Sequence, residues 1–127
     1  MADGLDPKQA KVARAVNLFT IPEHLVEEGI DEIGMITMSA DEELAAYKRS
    51  GGDTAKLATE LVKTCLVEAS AGGVPQKLSL ADGSVDGFWK KLDPRVRQLV
   101  MTAYAELHTA KEEDAKSFTK SRRVRVA

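Results

Sequence analysis

Asp93-Pro94, followed by apolar residues at Val96, Leu99, Val100, Ala103 and Leu107, narrows what this chain can fold into more than any other stretch. The spacing is one stripe of an α-helix, with Tyr104 at its flank. Pro94 suits a first helical turn, where its missing N–H is among the groups left unbonded anyway. The Asp93 carboxylate before it is placed to cap the free amides. The other face carries Arg95, Arg97, Gln98, Thr102 and Glu106, so the helix packs on one side and is solvated on the other. Phe88, Trp89 and Leu92 just upstream are the partners expected for the stripe.

A second long stripe supports the same kind of core. Asp53 caps a helix in which Leu57, Leu61, Cys65 and Ala69 line up with Ala58, Val62 and Leu66, and Gly72-Gly73 is expected to end it. Ahead of it, Ser39 with Glu42 three residues later forms a capping box that predicts a helix over Ala40–Arg49, closed by Ser50-Gly51-Gly52. Nearer the start, Val16–Ile21 has the β-branched and aromatic content of a strand, and Pro22 stops it. Pro22–Gly29 reads as a turn or short helix with Leu25 and Val26 on its apolar side. A second strand is expected from about Glu32 to Met38, with Gly34 weakening it or marking a bulge, and the two runs are expected to pair as a small antiparallel sheet. Later, Val74–Leu80 is extended, Ser84 caps a short helix through Phe88, Trp89 and Leu92, and Thr109 caps a last helix anchored by Phe118.

The resulting expectation is an α+β fold, mostly α, with a small N-terminal β element followed by a compact bundle of four or five helices. It spans 1–127 as a single domain, with a frayed terminus at 1–7 and an extended basic tail at 121–127. Its expected core is Leu57, Leu61, Leu66, Trp89, Val96, Leu99, Val100, Ala103 and Leu107.

Several functional classes find little in this pattern. The longest apolar run falls far short of the roughly 20 residues of a membrane helix. Met1–Lys11 has acids where a signal peptide needs basic residues, so a cytoplasmic protein is expected. The single cysteine, Cys65, cannot build a disulfide framework or a multi-cysteine zinc site, and on an apolar stripe it reads as a small core residue. His24 lies among acids and His108 near a helix end, neither with metal-ligand company. No glycine-rich phosphate loop occurs. Asp82-Gly83-Ser84-Val85-Asp86-Gly87 fits the first half of a calcium loop, but its twelfth place is Asp93 instead of Glu. A polar turn followed by a Ser cap explains the same residues, and no metal, cofactor or catalytic residue is assigned.

Charge is unevenly placed. Ile21–Tyr47 carries Glu23, Glu27, Glu28, Asp31, Glu32, Asp41, Glu42 and Glu43 with no Lys or Arg, whereas Lys120, Arg122, Arg123 and Arg125 close the chain with no acid. Such a split suits solvated surfaces, docking of one end on the other within the chain, stacking of copies, or separate sites for two partners. Four cations without interleaved aromatics, on a protein of pI about 5.7, are a poor nucleic-acid footprint.

Asp82-Gly83-Ser84, Phe88-Trp89-Lys90-Lys91-Leu92, Pro94–Val100, Ala103-Tyr104, Leu107-His108, Glu112-Glu113 with Phe118, and Ser121–Val126 together resemble the tail assembly chaperones of tailed bacteriophages. The front half fits in order as well, with an extended run ending at Pro22, then His24-Leu25-Val26, Gly29, a strand and a capped acidic helix. The pattern departs over Met35–Met38, where the family places basic residues. The resemblance implies a non-catalytic protein of the infected host's cytoplasm that binds the tape measure protein and leads tail tube protein to polymerise around it. Alternatives are a small structural component of tail or baseplate, and a calcium-binding or regulatory module. Candidate partner-binding residues are Arg122, Arg123, Val124 and Arg125 in the tail and Leu25 and Val26 in the first turn, with self-association a further possibility.

Overall fold

The computed structural model describes residues 14–126. In chain order it runs β1 (Asn17–Thr20), a 3-10 turn (Glu23–Leu25), β2 (Ile30–Met35), α1 (Ala40–Ser50), α2 (Thr54–Cys65), β3 (Leu66–Ala71), β4 (Val74–Lys77), α3 (Ser84–Lys91), α4 (Pro94–Leu107) and α5 (Glu112–Lys120). The class is α+β, with more residues in helix than in strand. The terminus expected to fray at 1–7 and most of the Ala/Lys-rich stretch after it lie outside the described residues.

The strands form one antiparallel sheet in the order β1-β2-β3-β4. The expected pair of N-terminal runs is there, Phe19 opposite Ile33 and Asn17 opposite Met35. The second half of the sheet departs from the helical stripe read through Ala69. Helix α2 ends at Cys65, and Leu66 turns to extended backbone at φ −76°, ψ 116°. Leu66–Ala71 then runs along β2, with Ala69 opposite Ile33 and Leu66 opposite Met35. Helix propensities separate such residues by only about 0.7 kcal/mol or less each, so a ladder that buries Leu66 and Ala69 decides the conformation. Gly72 and Gly73 are therefore a hairpin turn, not a helix end. Their φ values of 57° and 84° are those a two-residue type I′ turn demands, and Ala71 faces Val74 across it.

Helix starts follow the sequence closely. Ser39 Oγ accepts from Glu42 N while the Glu42 carboxylate accepts from Ser39 N, which is the capping box. Asp53 accepts from Ala55 N and Lys56 N, and Asp93 from Arg95 N. Two expected caps act elsewhere. Gly83, at φ 77°, takes the cap position of α3, and Ser84 Oγ accepts instead from Ser79 N at 2.8 Å. Thr109 donates back to Ala105 O, leaving the Asp114 carboxylate to accept from Lys111 N at the start of α5.

The core joins Ile33 and Met35 of β2 and Leu66 of β3 to Val62 and Cys65 of α2, Val85 and Trp89 of α3, and Val96, Val100 and Ala103 of α4. Leu107 packs against it half-buried. Three expected core residues are elsewhere. Leu57 and Leu61 are half-buried beside Leu44 and Tyr47, in the seam between α1 and α2. Leu99 is 44% exposed. At about 100° per residue, Leu99 stands roughly 60° to one side of Val96 on the helix, while Val100 and Ala103 lie nearer the centre of the stripe. Phe118, expected to anchor the last helix, is 79% exposed, and α5 buries no residue at all. Arg97, placed by the pattern on the solvated face, lies 5.6 Å from the Trp89 ring and donates to Trp89 O and Lys90 O, tying α4 to α3.

A charged clasp holds α1, α2 and α3 together. Glu60, 7% exposed, takes Arg49 Nε at 2.8 Å and Lys63 Nζ at 3.0 Å, and Lys63 also reaches Asp86 at 2.6 Å. Burial pushes the Glu60 carboxyl up, but the hydrogen bonds from Arg49 and Lys63 outweigh it and hold the group below its ordinary range.

Met35→Ala, at a site 1% exposed, is expected to cost about 2–5 kcal/mol, whereas Leu99→Ala should cost below about 1 kcal/mol. Urea melts of the two variants check this. Equal losses would place Leu99 in the core after all.

Candidate partner-binding surface

The residues singled out in the sequence end up in two unconnected places. Leu25 is 8% exposed and sits in the core cluster with Ile21 and Val96, and Val26 packs half-buried against the same cluster. Leu25 is thus spent on the fold, because the 3-10 turn folds its apolar side inward under Pro22. Arg122, Arg123, Val124 and Arg125 are exposed, and among the described residues no ion pair involves them. Among the described residues no side-chain hydrogen bond joins that tail to the first turn.

Two surfaces present apolar groups, the seam of Leu44, Tyr47, Leu57 and Leu61 between α1 and α2 and a longer one along β1 and α4. A groove of about 240 Å3 runs between β1 and α4, floored by Ile33, Met35 and Val100, walled by Phe19, Pro22 and Leu99, and rimmed by Thr102 and Glu106. A smaller apolar hollow of Ile21, Leu25, Phe88 and Leu92, rimmed by Glu27, Glu28, Lys91 and Asp93, shares Ile21 and Val96 with it. On the other side a wider, more polar depression shares Phe19 and Glu106 and extends past Leu18, Thr109 and Asp114. The groove and the two hollows that share its lining residues make up a trough. The sequence signal for it was Leu99 itself, an apolar residue at the margin of a stripe that was assigned wholly to the core.

The sheet edges beside this trough are unlike each other. Ile21 N donates to Asp31 O at 2.8 Å, which sets the odd positions of β1 as those bonded inward to β2. Leu18 and Thr20 therefore aim their backbone N–H and C=O outward. On β4 the corresponding outward positions are Pro75, which has no N–H, and Lys77, both features that discourage a further strand. The β1 edge carries neither, and among the described residues nothing pairs with it.

One sheet face meets the helices, and the opposite face is partly buried, with Gly34 and Ser70 buried and Glu32 and Glu68 half-buried. On that opposite face Leu18, Gly34, Glu68 and Lys77 lie in one register row and Thr20, Glu32, Ser70 and Pro75 in the next. A Cβ on Gly34 would collide with Glu68 Cγ and sit 2.8 Å from Val16 Cγ1, so the absence of a side chain there lets Glu68 lie across β2 toward β1. Neither Glu32 nor Glu68 has an ion pair among the described residues.

Groups with chemical potential are engaged structurally. Cys65 Sγ lies 3.9 Å from His108 Nε2, a juxtaposition the sequence did not reveal. Burial pushes the Cys65 thiol up to about 12, opposite to the lowering that makes a thiolate nucleophile. His108 Nε2 accepts Met38 N–H at 3.1 Å while Nδ1 donates to Tyr104 O at 2.8 Å, with the ring stacked 4.5 Å from Tyr104. Through these main-chain bonds it bridges α4 to the chain after β2. The residues of the calcium-loop pattern do not form a loop, since Ser84 onward is helical, Asp82 accepts from Ser84 N, Asp86 takes Lys63 and Asp93 caps α4. No group of three or more His, Cys, Asp or Glu suited to a metal occurs among the described residues, and no helix there is long and apolar enough to cross a membrane.

Arg14 fixes how the chain enters β1. Its guanidinium donates to Thr37 O and to both oxygens of Glu42, one of them at 3.1 Å, so β1 is tied to the capping box of α1. No family model matches this chain, and no curated protein or solved structure is significantly similar to it.

The Arg14 bond holds the Glu42 carboxyl down at about 2 from an ordinary 4.5. A depressed carboxylate adds stability above its unfolded value and loses it on acidification. Stability should therefore fall between about pH 4.5 and pH 2, and Glu42→Gln should flatten that part of the profile. Denaturant midpoints across this range measure it, and an unchanged acid slope in the variant would show that other carboxylates carry the effect.

Proposed function

We propose that this chain is a non-catalytic tail assembly chaperone of a tailed bacteriophage, acting in the host cytoplasm. It binds the tape measure protein, keeps that client's apolar helices from aggregating, and leads tail tube protein to assemble around it. The sequence pattern from Asp82 to Val126 suggests the family. The observation that carries the reading is the open trough between β1 and α4, where Leu99, Phe19 and Pro22 stand over a buried floor of Ile33, Met35 and Val100.

Such a trough suits an amphipathic helix laid along it, with client side chains at i, i+3, i+4 and i+7 entering between Phe19 and Leu99. Its rim carries Glu27, Glu28, Asp93, Glu106 and Asp114 against Lys91 and Lys111, an acidic balance that favours basic groups beside the client's apolar stripe. A buried thiol held neutral and a histidine committed to main-chain bonds support a binding role over catalysis. The wholly exposed α5 and tail also favour a second reading, a small structural component of the tail that stacks through its ends. Retention in purified particles distinguishes that reading from a chaperone, which leaves.

Co-expression with the tape measure protein should raise the client's soluble yield, and the two should co-purify. Leu99→Asp places a charge in the trough at an exposed position, so it should weaken co-purification about tenfold, equivalent to roughly 1.4 kcal/mol, while leaving the melt close to that of the parent. If the intact protein captures no tail component, the chaperone reading falls. If the parent binds and Leu99→Asp binds equally, the client sits elsewhere.

A further inference from the structure

We infer that the β1 edge is the docking site for the C-terminal tail of a second copy of this chain, which adds as a strand and links copies head to tail. This rests on the edge and the tail, independently of the chaperone reading. Leu18 and Thr20 present outward main-chain groups with no guarding Pro or Lys, whereas the opposite edge is blocked by Pro75 and Lys77. An extended segment bonded there satisfies those groups, and alternate side chains then fall on opposite sheet faces.

The tail has the side chains both faces call for. In an extended Ser121–Val126, Arg122, Val124 and Val126 share one face while Arg123 and Arg125 share the other. Turned toward the trough, Val124 and Val126 meet the apolar wall of Phe19 and Leu99, and Arg122 meets the rim carboxylate of Glu106. Arg123 and Arg125 then lie on the opposite face, beside Glu32 and Glu68, neither of which has an ion pair among the described residues, the latter leaning over Gly34 toward β1. Charge and apolarity therefore match with the same period of two.

A second copy is the occupant because the chain's own tail is undocked. Val124 and Val126 are 77% and 92% exposed, and α5 before them buries nothing. Edge and tail are different surfaces, so each docking leaves one of each free and the contact is heterologous, growing into chains or closing as a ring. Screening by salt weakens its charged half.

Sedimentation equilibrium tests it on the full chain. The average mass should rise with concentration above the 13.8 kDa of one copy, and it should fall back toward that value in high salt. A chain truncated after Lys120 and a full chain carrying Thr20→Pro should each stay monomeric, since one lacks the tail and the other an outward N–H. Mixed, they should form a one-to-one dimer and nothing larger, because one keeps the edge and the other the tail. Circular dichroism verifies that both variants are folded. If Thr20→Pro is not, the double variant Glu32→Lys/Glu68→Lys replaces it and should weaken association at low salt. A wild-type chain that is monomeric at every concentration overturns the inference. Within that outcome, a tail peptide binding only to the truncated form would identify the chain's own tail as occupant, and association appearing on removal of residues 1–13 would identify the N-terminus. Self-association by the truncated chain, or a mixture that forms no dimer, overturns it equally.

Discussion

The pairing of β3 along β2 is the constraint on which the rest of the structure depends. β2 lies between the N-terminal strand and the later hairpin, and it is bonded on both sides. Its residues Ile33, Gly34 and Met35 are all buried. Because Leu66–Ala71 is drawn into this ladder, α2 must stop at Cys65, and Ile36 N is bonded to Cys65 O at 2.9 Å where strand and helix end together. Each large apolar side chain buried along this line, Met35, Val62 and Leu66 among them, contributes about 1.5–3 kcal/mol. A helix continued to Ala69 would keep its own backbone bonds but leave one side of β2 and Ile33 uncovered.

That arrangement also shapes the surface. With β2 and β3 supplying the floor, α4 needs only Val96, Val100 and Ala103 to close the core, and Leu99 is left standing at the side. The sheet is wider than α4 covers, so a trough opens toward β1. Gly34 has a further consequence. Without a side chain there, Glu68 can lie across the strand, which places a carboxylate with no ion pair among the described residues near the sheet's β1 edge. The two sheet edges thus differ in kind, one closed by Pro75 and the other open.

Polar groups inside the fold act as tethers between elements distant in sequence. Arg14 joins β1 to α1, the Arg49–Glu60–Lys63–Asp86 clasp joins three helices, and His108 reaches Met38. Acceptors and donors in these clusters are largely matched, which is the condition under which buried charge stays ionised. What is left unengaged is the exterior: the trough, the open edge and the basic tail.

By itself the sequence determined the local features whose cause lies within a few residues. The caps at Ser39, Asp53 and Asp93, the Pro94 start, the N-terminal hairpin of β1 and β2 and the α+β class all follow from short-range sterics and hydrogen bonding, and the structure has them. It also placed the charge split that motivates a tail as a binding element. It could not decide between meanings that one local pattern allows. Gly72-Gly73 suits a helix end and a type I′ turn alike, and Leu66–Ala71 suits a stripe and a strand. Only a neighbour, β2, settles it. The side of a helix stripe that is buried depends likewise on how wide its partner is, so Leu99, Leu57 and Leu61 could not be told from Val100 by period alone. Leu25 shows the converse, an apolar turn residue that the fold consumed. The trough and the unguarded β1 edge are relations between segments far apart in the chain, and only the tertiary structure, by fixing sheet order and register, brought them into being.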